Sequence, residues 1–325
     1  MQRGQVKGTR MFGNRTYSKV PYQQLFEECY RNLEIKGRAE ETLRTYKNHH
    51  KYFMEFLCYH TKSREPSADV ITLQLLEDYI LYLQNVRKTF NNTTINSYLK
   101  NVSPVIKYGV KRGYIHDDFP IPFRKVQEKI KEIYTQEELQ SLLIRPKGNN
   151  FVAIRDWAIV WVLASTGVRS KELRCLKIKG VDLYNRSMTA NHTKNRKARY
   201  LPISTSLLEV LEDYLRIRGG EGEDYLFPTV FGEIMSSSSL SKQIQRYCNN
   251  RGVEKTSLHL FRHTFITNSV NANVNPVLLQ RVTGHSSMRE LSRYYNSQLK
   301  DVVAVIDDIA PTLNRKESLF KKYKR

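Results

Sequence analysis

Apolar residues recur at helical spacing through the first third of the chain. Leu43, Tyr46, His50, Phe53 and Leu57 form one stripe, and Leu73, Leu76, Ile80 and Leu83 a second. Ile95, Tyr98, Val102, Val105 and Ile106 form a third, with Pro104 expected to bend that helix. The intervening stretches, 63–69 and 88–92, are polar, so residues 20–116 read as a compact all-helical domain. Residues 117–132 hold Pro120 and Pro122, then Lys125, Lys129 and Lys131, and read as a basic linker. Thr135 followed by Glu138 is a capping-box pattern that opens the next helix. Residues 157–163 are apolar on nearly all sides, which marks a buried helix. Residues 188–193 and 198–203 read as two short strands around a polar turn at 194–197. Helical spacing returns at Leu207, Leu208, Leu211 and Leu215, and the serine run at 236–239 is expected to cap a further helix. The fold class is therefore mainly α with a small β-hairpin or sheet: an all-helical N-terminal domain and an α+β second domain over 133–300. A tail follows at 301–325.

Charge changes this picture. The 325 residues include 53 Lys and Arg against 32 Asp and Glu, a formal net charge of +21. Such an excess goes beyond what solubility requires and points to a polyanionic partner. The 20 Tyr and 13 Phe exclude a disordered basic tail. No apolar run is long enough for a membrane span, and the positive charge is spread along the chain rather than gathered on one amphipathic anchor. Nucleic acid is thus favoured over a membrane surface. The four cysteines, Cys29, Cys58, Cys175 and Cys248, are far apart and form no CxxC, which suits a reducing, cytoplasmic compartment. No apolar secretory segment is expected at the N-terminus. Residues 1–19 carry Arg3, Lys7, Arg10, Arg15 and Lys19 without an acid, and read as a flexible basic arm, either holding DNA or merely solvated.

Three polar clusters in the second half carry candidate chemistry. In the first, Gly167 permits a tight turn after the buried helix and Arg169 leaves it, with Glu172 three residues on to orient the guanidinium. An arginine fork matches two phosphate oxygens. In the second, His259, Arg262 and His263 share a helical stretch, with His259 and Arg262 on one face. His259 and His263 are also spaced for a metal, but the HExxH glutamate is missing and Arg262 would repel a cation, so no metal is expected. The third is Gly284-His285, followed by Tyr294 and Tyr295. Tyrosine is a rare nucleophile and needs surrounding positive charge.

Taken together, these clusters resemble the tyrosine recombinase family of the phage-integrase type, over most of residues 135–300 and weakly over the helical half. The family's TG-x-R-x-x-E box stands as Thr166-Gly167-Val168-Arg169-Ser170-Lys171-Glu172. Its strand-turn lysine and R-x-[LV]-P stand as Lys194 and Arg199-Tyr200-Leu201-Pro202. Its H-x-L-R-H box is His259-Leu260-Phe261-Arg262-His263, with Phe in the usual Leu position, and its GH box is Gly284-His285. The family's nucleophile follows that histidine by nine residues, which selects Tyr294. Two departures stand out: 289–293 replaces a Thr-rich stretch, and Tyr295 adjoins Tyr294.

The resemblance implies a site-specific DNA recombinase acting without cofactor, metal or ATP through a 3′-phosphotyrosine and a Holliday junction. Tyr294 would attack, Arg169 and Arg262 would stabilise phosphate charge, and His259 and His285 would donate to it or shuttle the phenol proton. Lys194 would protonate the leaving oxygen and Glu172 would orient Arg169. Arg3, Lys7, Arg10, Arg15, Lys125, Lys129, Lys131, Arg196 and Lys197 would contact DNA. The implied partners are double-stranded DNA with an inverted-repeat core site, three further copies of the chain in a tetramer, and a directionality factor. The implied setting is a prokaryotic nucleoid. A mobile-element integrase is the expected role, with a host dimer-resolving or inversion recombinase, a type IB topoisomerase and a non-catalytic DNA-binding factor as alternatives. The apolar stripe Val302, Val303, Val305, Ile306 and Ile309 would dock on a neighbouring protomer or pack in cis.

Overall fold

The computed structural model describes residues 18–126, 132–191, 198–285, 287–292 and 294. The chain forms two compact units, residues 1–129 and 130–325.

In the first unit, four helices follow one another: α1 (Tyr22–Ile35), α2 (Glu40–Thr61), α3 (Leu73–Asn85) and α4 (Asn92–Arg112). Each buries the face that its apolar spacing marks. Phe53 and Leu57 of α2, Leu76, Ile80 and Leu83 of α3, and Ile95, Val102, Val105 and Ile106 of α4 join Tyr22 and Leu25 of α1 in one core. Leu73, the first residue of α3, stays 36% exposed, and Leu43 of α2 is half-buried outside this core. Polar caps set two starts: Thr72 accepts from the Leu75 amide and Asn91 from the Thr93 amide. The helix runs through Pro104 from Asn92 to Arg112, rather than ending at the proline. His50 lies flat on Phe26, with ring centroids 3.6 Å apart, and burial lowers its pKa to about 4.

The first part of the expected linker, residues 117–126, lies along the helical unit. Phe119 and Ile121 pack on the helical core. Buried Asn96 donates to the Arg124 carbonyl and accepts from the Arg124 amide, both at 2.8 Å, while Arg124 Nε donates to Asn92 Oδ1 at 2.8 Å. A buried amide side chain must satisfy both ends, and here it does so by gripping the following segment.

The second unit is built around α6 (Phe151–Thr166), which follows α5 (Gln136–Leu143). The capping box of α5 is present: Thr135 Oγ1 accepts from the Glu138 amide at 3.2 Å, and Glu138 Oε2 accepts from the Thr135 amide at 2.8 Å. α6 is buried on nearly all sides, as its composition requires, and touches α5 and the later helices α8 (Thr205–Arg218), α9 (Ser237–Asn249) and α10 (Leu258–Asn271). Between α6 and α8 lie α7 (Ser170–Arg174) and an antiparallel sheet of β1 (Val181–Asp182), β2 (Ser187–Ala190) and β3 (Arg199–Pro202), in that order. The strands are shorter than the sequence pattern suggests, and β1 is an addition. Among the described residues, β2 pairs from Ser187 to Ala190 and Asn191 is not strand, while residues 192–193 lie outside the described residues. Ser236 caps α9 by accepting from the Ser239 amide at 3.0 Å. The chain continues with α11 (Pro276–Thr283) and α12 (Met288–Ser292).

Candidate functional site

Four segments of the second unit meet at the C-terminal end of α6. The first is the turn after α6, where Gly167 takes φ +57°. A Cβ there would lie 2.6 Å from Phe265 Cδ1 of α10, so the turn needs glycine for both conformation and space. The turn directs the Gly167 carbonyl at Arg262, whose Nη1 donates to it at 2.7 Å. Arg262 is only 4% exposed, and burial together with the charges of Arg169 and Arg199 lowers its pKa to about 10. It therefore remains charged at neutral pH.

Arg169 follows the turn. Its Nη1 donates to Glu172 Oε1 at 3.1 Å and its Nη2 to the Gly284 carbonyl at 2.7 Å. Glu172 is itself buried, and its Oε2 accepts from the Arg169 amide and from Arg199 Nη2. One carboxylate thus holds two guanidiniums. The Arg169 side chain keeps 26% of its surface exposed, which leaves it the one most open to a ligand.

Gly284 ends α11 at φ +65°. A Cβ there would stand 3.0 Å from Arg199 Cδ and Nε and 3.2 Å from Arg169 Nη1, so both arginines pass close over its Cα. His285 follows. Arg262 Nη2 can only donate, so His285 Nε2 accepts its bond at 3.1 Å. The ring proton then sits on Nδ1 and donates to Thr283 Oγ1 at 2.7 Å, while that hydroxyl donates to the Leu279 carbonyl at 2.6 Å. Burial, then the charges of Arg262 and Arg169, lower the His285 pKa to about 4, so the ring is neutral at pH 7.

Tyr294 is half-buried and packs with Ile266, Leu279 and Leu291. Its ring meets His263 of α10 edge to face, with centroids 4.9 Å apart. His259 lies exposed on the first turn of α10. Arg169, Glu172, Arg262, His285 and Tyr294 are thus gathered in one unit. Lys194, Arg196 and Lys197 lie outside the described residues, as do Arg3, Lys7, Arg10, Arg15, Lys129 and Lys131. Lys125 is exposed in the first unit, where its carbonyl accepts from Asn92.

Sequence reasoning gives no role to three residues that the fold brings to this site. Arg199 completes the hold on Glu172, Thr283 accepts the ring proton of His285, and His263 touches Tyr294. The available signals are slight: Arg199 stands in the R-x-[LV]-P motif, Thr283 sits two residues before His285, and His263 stands in HLFRH. Among the described residues, no group of three or more His, Cys, Asp or Glu side chains is placed to hold a metal. Nor is any described helix long and apolar enough to cross a membrane.

The chain is similar to known proteins. Residues 132–300 match the model of the phage integrase family, and residues 22–128 that of the phage integrase SAM-like domain. Tyrosine recombinase XerC of Thermodesulfovibrio yellowstonii is 26% identical over 290 residues, covering 85% of this chain and 92% of that protein. Tyrosine recombinase XerA of Pyrococcus furiosus is 25% identical over 294 residues, covering 89% and 95%. A structure of the Tn1549 transposon integrase with transposon right end DNA aligns with a TM-score of 0.71 at 19% identity, over 90% of this chain and 100% of that one. XerH site-specific recombinase bound to difH aligns with a TM-score of 0.65 at 21% identity, over 88% and 84%. At these identities the structural likeness speaks for the fold.

Proposed function

Because the chain belongs to the phage integrase family of tyrosine recombinases, we propose that it is a site-specific DNA recombinase. One observation carries the reading. Arg169, Arg262 and His285 converge on the turn at Gly284, and Tyr294 packs against the helix that bears Arg262. Three guanidiniums surround one buried carboxylate, so the site carries surplus positive charge that an anion would neutralise.

A DNA phosphodiester supplies that anion. Arg169 and Arg262 hold its non-bridging oxygens, where charge grows as a fifth oxygen approaches phosphorus. The Tyr294 hydroxyl oxygen attacks phosphorus and the bond to the 5′ oxygen breaks. A 3′-phosphotyrosine and a 5′ hydroxyl result. The phenol proton passes to a histidine, His259 or His285, and Lys194 protonates the departing oxygen. A bound phosphate offsets the arginine charges that depress His285, raising its basicity when a proton acceptor is needed. Attack of a 5′ hydroxyl from another duplex reverses the step, so strands exchange through a Holliday junction without ATP.

The substrate is double-stranded DNA with an inverted-repeat core, and four chains act together on it. The basic N-terminal arm, Lys125, Lys129, Lys131, Arg196 and Lys197 contact phosphates. Integration of a mobile element, assisted by a directionality factor, is the role that the arm favours. Resolution of chromosome dimers is the second reading, favoured by the XerC and XerA relatives that align along most of the chain. A suicide substrate tests the chemistry. Tyr294→Phe is expected to lose the covalent adduct and keep DNA binding, whereas Tyr295→Phe keeps both. Adducts from Tyr294→Phe would overturn the assignment.

A further inference from the structure

Arg199 opens β3 directly after residues 192–197, paired with Ala190 of β2. Its side chain does not turn to solvent. It is 9% exposed, runs close over Gly284 and ends on Glu172 Oε2. Glu172 is thereby divided: Oε1 takes Arg169 Nη1, and Oε2 takes the Arg169 amide and Arg199 Nη2. Among the described residues, two other donors of Arg199, Nε and Nη1, are buried with no hydrogen-bond partner. Burial lowers the Arg199 pKa, with Glu172 opposing it. A buried guanidinium with unmet donors is a poor device for stability, since an apolar side chain of similar volume avoids the desolvation cost. Its placement has another consequence.

We propose that Arg199 is a positioning residue for strand cleavage. By claiming Oε2, it confines Arg169 to a single side-chain bond with the carboxylate. The second nitrogen of Arg169 is then free to bond the Gly284 carbonyl, which fixes the guanidinium beside His285. Without Arg199, Glu172 would take Arg169 in the paired, two-bond fork that carboxylates prefer. Arg169 would then leave Gly284 and lose its aim at the phosphate. The inference rests on the proposed phosphodiester chemistry.

The test uses the full chain and a suicide half-site substrate, with single-turnover adduct formation, DNA affinity and urea unfolding measured together. R199M is expected to slow adduct formation by about 100-fold, the effect of a displacement near 1 Å in a reacting array. Its DNA affinity and folding are retained. R199K keeps a cationic donor for Oε2 and recovers about tenfold of that loss. In an E172Q background the R199M effect shrinks to about threefold, because the two residues act through one contact. R199M cleaving within about threefold of wild type would overturn the inference, as would equal losses in R199M and R199K. A full R199M effect retained in the E172Q background would do the same. Should R199M fail to fold, R199K decides: slowed cleavage at unchanged affinity supports the inference, and the wild-type rate overturns it. A wild-type chain that forms no adduct overturns the proposed function itself, and this inference with it. Normal wild-type adducts beside a fully active R199M overturn the inference alone.

Discussion

Gly167→Ala tests how the turn after α6 supports the site. Gly167 adopts φ +57°, and a Cβ there would lie 2.6 Å from Phe265 Cδ1 and 3.2 Å from Cγ. Two costs follow: left-handed backbone strain of about 1–2 kcal/mol, and overpacking of about 1–3 kcal/mol. The lower entropy of alanine in the unfolded chain returns about 0.4–1 kcal/mol. The net loss is about 1–4.5 kcal/mol, or a fall in Tm of roughly 2–18 °C for a unit of this size. Both tryptophans of the chain, Trp157 and Trp161, lie on α6 and donate to the Leu143 carbonyl. Tryptophan fluorescence during urea unfolding therefore reports on the helix that Gly167 ends. Phe265→Ala removes the obstructing ring. In that background the Gly167→Ala penalty should drop to the backbone cost of about 1 kcal/mol. A Gly167→Ala protein within about 0.5 kcal/mol of wild type, or one with the same penalty in both backgrounds, would refute the reasoning.

Acid should weaken the first unit through His50. Its pKa is near 4 when folded and about 6.5 when unfolded, so the unfolded chain binds more protons between those values. This stabilising contribution is complete above pH 6.5 and is lost as pH falls towards 4. Circular-dichroism urea midpoints against pH should fall less steeply for His50→Gln. Deleting residues 1–17 should weaken DNA binding and flatten its dependence on salt, since fewer counterions are released; an unchanged slope in a salt titration would show the arm to be merely solvated. Covalent adduct formation should persist in a strong chelator, because Arg169, Arg262 and Lys194 supply the charge. Loss of adduct that zinc or magnesium restores would contradict that account.

Local information determined much of this protein. The apolar spacing of the first unit, the Thr135–Glu138 capping box, the Ser236 cap and the all-round apolar α6 are properties of neighbouring residues, and the folded chain displays them. The motif residues Arg169, Glu172, Arg262, His285 and Tyr294 could also be named from the sequence, through its resemblance to the tyrosine recombinase motifs. Their states could not. Arg199 looks like an ordinary charged strand residue until β3 places it beside Gly284 and Glu172. His285 carries no sequence mark of being neutral, because its low pKa comes from burial and from arginines of other segments. Asn96 and Arg124 show no periodicity that joins them, yet their bonds hold residues 117–126 to the helical unit. Periodicity and capping act over a few residues, and the chain alone specifies them. Desolvation and charge coupling act through space, and only the tertiary fold decides which distant groups share them.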